Sequence, residues 1–183
     1  MKRLFRRLVR EERGYSLMEL LLSISILGMV MTSISVLLVS ATNTEIDMNR
    51  RFQAQTQARL GLDRLRREVH CAISVATSNA GAQATLTIPS TCPTAGGLTA
   101  LTWCTTANGN RWDLWRYEGA SCSGTGRTWA TSLTQASLFT YTAQSTSSLA
   151  FLSVTLPVNV AGSKTISSYV LSDNIVLRNS TRT

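Results

Sequence analysis

Proline is scarce in this chain, and its placement is informative. Of 183 residues three are proline, and none precedes Pro89. Proline inside a helix removes an N–H donor and clashes with the preceding turn. Its absence leaves the first half of the chain free to form one unbroken helix. Histidine is scarcer still, since His70 stands alone. The four cysteines are separated by 21, 12 and 18 residues, with no C-x-x-C pair, so no zinc-ligand spacing is present. No metal or cofactor is expected. The patterns G-x-S-x-G, H-E-x-x-H, the P-loop and the calcium loop are also missing. His70 and Cys71 are adjacent, and neighbouring helical side chains diverge by about 100°, which prevents a nucleophile–base pair. The expectation is a protein that is not an enzyme.

Charge is absent from Leu20 to Val39 (LLLSISILGMVMTSISVLLV). As a helix rising 1.5 Å per residue, this run crosses roughly 30 Å, the thickness of a bilayer core. Ser23, Ser25, Thr32, Ser33 and Ser35 interrupt it, but such hydroxyls can bond back to the helix backbone, and small residues allow helices to approach closely. Gly28 carries a helix penalty and marks a contact or a flexible point. Lys2, Arg3, Arg6, Arg7, Arg10 and Arg13 crowd the N-terminal side, whereas Asn43, Glu45 and Asp47 follow the run. The positive-inside rule then puts the N-terminus in the cytoplasm and the remainder outside. Of the 18 basic and 10 acidic residues, the first 14 residues hold six and two, so the net +8 is partly a topological signal. The high pI is therefore no argument for nucleic acid by itself.

From Phe52 onward apolar or small residues recur at helical steps: Phe52, Ala58, Leu62, Leu65, Val69, Ala72 and Ile73, with Gln55 as a polar interruption. Arg50, Arg51, Arg59, Arg64, Arg66 and Arg67 take other faces, where Asp63 and Glu68 offer helical ion pairs. The pattern predicts one helix from about Tyr15 to about Val75. A stripe packed on a following domain is expected, rather than a helix lying on lipid. After Ser74 the composition turns to Ser and Thr, with Thr77 to Gly81 as a loop. Short strands are expected at Ala84–Ile88, Leu98–Thr105, Arg111–Glu118, Leu138–Thr142, Leu149–Leu156, Thr165–Leu171 and Ile175–Leu177. The fold class is thus α+β, a long helix covering an antiparallel sheet. The expected divisions are 1–14 as a basic leader, 15–40 as a membrane segment, 41–75 as an amphipathic segment and 76–183 as a β-rich head.

An even number of cysteines in an exported chain suits disulfides. Cys71, Cys92, Cys104 and Cys122 allow three pairings, and the sequence does not choose among them. Sequential pairing, Cys71–Cys92 with Cys104–Cys122, closes two short loops, each stabilising by roughly 3 kcal/mol in the chain-entropy model.

One residue sits awkwardly in this scheme. Glu19 stands at the mouth of the apolar run, in Arg13-Gly14-Tyr15-Ser16-Leu17-Met18-Glu19-Leu20-Leu21-Leu22. An ionisable group is costly in a membrane-spanning helix, about 3 kcal/mol at the helix centre on the insertion scale. A secretory signal peptide cut after Ala41 leaves Glu19 unexplained, and its apolar region exceeds the usual length. An uncut signal anchor leaves it equally unexplained, and an acid snorkelling to water is a third possibility.

The stretch around Glu19 resembles the N-terminal signature of type IV pilins and type II secretion pseudopilins: basic leader, Gly14, an aromatic residue, Glu at the fifth mature position, then an uncharged run. Tyr15 replaces the usual Phe and Met18 the commoner Ile, while Gly28 falls where the family often has glycine. The resemblance covers about residues 1–40. It implies a prepilin peptidase that cuts between Gly14 and Tyr15 and methylates the new Tyr15 amine. It also implies partners: other pilin or pseudopilin subunits, a membrane assembly platform, and the lipid of the cytoplasmic membrane. Glu19 would meet the Tyr15 amine of an adjacent subunit and set the filament register. The basic helix ending in Cys71 and the Ser/Thr-rich head look like minor pilins and J-type pseudopilins.

The head holds a second candidate surface. Arg111, Trp112, Trp115 and Arg116, with Trp103, Arg127 and Trp129, interleave basic and aromatic residues as single-stranded DNA sites do. The expectation favours rings packed in the sheet and arginines facing water, with DNA as the alternative. An exported head that binds DNA or a surface ligand, released after Ala41, is the competing functional class.

Overall fold

The computed structural model describes residues 16–93, 95–160 and 169–180. The leader, with Gly14 and Tyr15, lies outside the described residues. The chain divides into two units, Met1–Ile46 and Asp47–Thr183, and a single helix α1 (Leu17–Cys71, 55 residues) has turns in both.

In the first unit, the Ser16 carbonyl accepts the N–H groups of Glu19 and Leu20 and opens the helix. The large apolar side chains from Leu17 to Val39 are exposed around the whole circumference. Each hydroxyl of the run finds a backbone carbonyl one turn back: Ser23 to Glu19 at 2.7 Å, Ser25 to Leu22, Thr32 to Gly28, Ser33 to Val30 and Ser35 to Met31. These bonds hide the polar atoms that an apolar surrounding would penalise. By length and composition this helix can cross a membrane.

In the second unit, α1 buries Ala54, Ala58, Gly61, Leu62, Leu65, Glu68 and Val69, a stripe at three- and four-residue steps. Burying each Leu or Val side chain contributes about 1.5–3 kcal/mol. The sequence placed Phe52 and Ile73 in this stripe, yet both are exposed, at 69% and 41%. Ala54 occupies the facing position, and the helix stops at Cys71, earlier than the expected Val75. Three contacts end it there. Asn179 Nδ2 donates to the Cys71 carbonyl, Cys71 bonds to Cys92, and Ile73 N–H turns to the Thr87 carbonyl. The boundary between helix and head therefore falls at residue 71, and the loop expected at Thr77 begins instead with a strand.

The head contains β1 (Ser74–Ser78), β2 (Gln83–Thr87), β3 (Ala100–Asn108), β4 (Arg111–Glu118), β5 (Gly126–Leu133), β6 (Phe139–Thr142), β7 (Phe151–Val158) and β8 (Tyr169–Val176). β1 to β5 form an antiparallel meander, while β7 lies between β6 and β8. One ladder position, Leu133 opposite Val158, joins β5 to β7. β1 and β5 were not foreseen, and the two segments expected near the C-terminus are one strand, β8. Residues 161–168, which include the start of the first of those segments, lie outside the described residues.

Alternation decides the packing. Leu86, Leu101, Trp103, Leu114, Leu133, Leu152 and Leu156 form the core together with the helical stripe. One flank of the helix is tied to β8. Arg59 Nη2 donates to Tyr169 Oη at 2.8 Å, and Arg66 Nη2 pairs with Asp173 at 2.8 Å. His70 Nδ1 lies 2.9 Å from the Val176 carbonyl. A carbonyl only accepts, so that nitrogen carries the proton.

Candidate functional site

Among the described residues, two places have chemistry that packing alone does not explain. The first is Glu19, in the first turn of α1. Ser16 and Glu19 stand in the S-x-x-E spacing of a helix start. A carboxylate beside the positive end of a helix dipole is stabilised by about 0.3–1 kcal/mol. That is less than the roughly 3 kcal/mol an ionisable group costs at the centre of a membrane-spanning helix. Helix geometry therefore accounts for part of the placement of Glu19. Of the residues linked to Glu19 by the sequence, Gly14 and Tyr15 lie outside the described residues.

The second place is in the head, and centres on Glu68. This side chain is 0% exposed within the apolar stripe of α1. Its Oε1 accepts from Arg64 Nε and Arg116 Nε, both at 2.8 Å, and its Oε2 accepts from Trp103 Nε1 at 2.9 Å. The sheet register assembles these donors. Trp103 and Arg116 are directly opposite on β3 and β4, so both project from one face toward the helix. A buried carboxylate is tolerated when its desolvation is offset by charged donors that fill its acceptor sites. The sequence suggested an ion pair between Glu68 and a helical arginine, but gave no signal that a tryptophan and an arginine from the sheet complete it.

Beside this cluster opens a groove of about 330 Å³ lined by Arg64, Arg116, Glu118, Arg127 and Trp129. Arg116 also lies 3.8 Å from Glu118. The Arg127 guanidinium sits 5.2 Å from the Trp129 ring centroid. Gly61 lets the helix approach here, because a Cβ at that position would come within 3.2 Å of Trp129 Cβ.

The basic–aromatic set proposed for DNA is not gathered into one surface. Trp115 and Arg116 are consecutive in β4 and face opposite sides of the sheet. Trp115 stacks with Tyr117, with ring centroids 6.0 Å apart. Trp112 packs against the core, and Arg111 is partly buried at the start of the strand. Arg116, expected to face water, is only 11% exposed because Glu68 draws it inward. Asp113 is 8% exposed and accepts from Asn108 Nδ2 across the hairpin.

The cysteines pair sequentially, Cys71 with Cys92 and Cys104 with Cys122. The first bridge fastens the end of α1, and the second fastens the loop between β4 and β5 to β3. Among the described residues no group of three or more His, Cys, Asp and Glu side chains is arranged to hold a metal ion. Comparison with family models, with curated proteins and with solved structures finds no match to this chain.

Proposed function

We propose that this chain is a non-catalytic structural subunit, of the minor kind, of a type IV pilus or a type II secretion pseudopilus. The observation that carries the reading is a 55-residue helix that is apolar on every side in its first half, opens with Glu19 and packs on a disulfide-linked head in its second half. A helix exposed in this way needs lipid or neighbouring helices around it. The same segment passes from one to the other when a subunit leaves the membrane for a filament. In this reading prepilin peptidase cuts after Gly14 and methylates Tyr15, and the subunit waits in the cytoplasmic membrane with its head outside. The assembly platform then inserts it among other subunits. Glu19 supplies the register by pairing with the Tyr15 amine of a neighbour.

Helix continuity through Ala41 supports this reading over release after that residue, since a cut there would fall within α1. The test is Glu19→Ala, followed for membrane insertion, leader removal and recovery in sheared filaments. The expected outcome is insertion and cleavage retained with incorporation lost. Incorporation at the normal level would overturn the register role.

A further inference from the structure

The groove beside Glu68 has an electrostatic imbalance that assembly through the helix does not use. Arg116 and Arg127 are directly opposite in the β4–β5 ladder. Like charges in that relation are destabilising unless compensated. Arg116 is compensated by Glu68 and, at longer range, by Glu118. Arg127 has no carboxylate partner among the described residues, and lies over the face of Trp129. Among the described residues around the groove, Arg64, Arg116 and Arg127 face Glu68 and Glu118, three positive charges against two negative.

We infer that this groove is a binding site for one carboxylate carried on an acidic peptide segment of a partner chain. The guanidinium fork of Arg127 matches a carboxylate, and the neighbouring arginine heads reinforce it. A volume of about 330 Å³ takes a side chain rather than a large ligand. Nucleic acid fits less well. A phosphodiester strand needs a row of cations and open ring faces, whereas here Glu118 borders the groove and Arg127 covers Trp129. This inference goes beyond the assembly reading and does not depend on it.

The test uses the full chain in detergent micelles, following the Trp129 indole resonance during titration with acetyl-Gly-Glu-Gly-amide. The glutamine counterpart and an oligothymidylate serve as comparison probes. Saturation by the glutamate peptide is expected, with at least tenfold weaker binding of the glutamine peptide. Arg127→Gln should weaken the glutamate peptide at least tenfold. Glu118→Gln, which raises the surplus to two, should tighten it severalfold. Equal responses to the two peptides, unchanged binding by either variant, or preferential saturation by oligothymidylate would each overturn the site.

Discussion

Arg116 on β4 donates to Glu68 on α1 at 2.8 Å, across 48 residues of sequence. This bond joins the two layers of the head at a point where the helical stripe is otherwise apolar. The carboxylate is fully buried, so removing it leaves Arg116 and Arg64 facing one another without their shared counterion.

Glu68→Ala is therefore expected to destabilise the head by about 3–5 kcal/mol, the usual cost of stranding one member of a buried pair. Asp63→Ala removes only the half-exposed pair with Arg66 and should cost no more than about 1 kcal/mol. Guanidinium unfolding of the full chain in micelles, followed by tryptophan fluorescence, compares the two. Glu68→Met combined with Arg116→Met should recover part of the loss, because removing both charges leaves less to desolvate.

The β1–β2 turn makes a sharper backbone prediction. Gly81 has φ +86°, and a Cβ there would lie 2.6 Å from the Phe139 carbonyl oxygen. The approach is fixed by Leu138 N–H donating to the Gly81 carbonyl and by Ser137 Oγ donating to the Ala80 carbonyl at 2.7 Å. Gly81→Ala should cost about 1–3 kcal/mol. Ala80 has φ +52° without being glycine, so Ala80→Gly should be neutral or stabilise by up to about 1 kcal/mol. The same unfolding measurement distinguishes these signs.

The two disulfides should differ in reactivity more than in stabilisation. They close loops of similar length, 21 and 18 residues, so removing either pair should cost roughly 3 kcal/mol. Each bridge has one buried cysteine, Cys92 and Cys104, but Cys122 is exposed whereas Cys71 is partly covered. Mild reductant followed by alkylation and peptide mass analysis should label Cys104 and Cys122 first. Equal labelling of both pairs would contradict this ordering.

How much of this was legible depended on whether a signal was local. The apolar run, the absence of early proline and the helical stripe all lie within α1, and the helix follows from them. β4 was foreseen at Arg111–Glu118 because Trp112 to Tyr117 alternates. β5 was missed because it begins at Gly126 in a stretch that reads as a Gly-Ser linker. β1 was missed because Ser-Val-Ala-Thr-Ser is weakly apolar and becomes a strand through pairing with β2. Glu68 illustrates the limit in the site itself. An acid one step from Val69 reads as a surface pair until the β3–β4 register brings Trp103 and Arg116 over it.

The most direct measurement of the assembly account is the intact mass and N-terminal sequence of the mature protein extracted from membranes of cells carrying the export and processing machinery. The account predicts a chain that starts at Tyr15 with a methylated amine and keeps Glu19. A chain starting at Thr42, or one still bearing the leader, would contradict it.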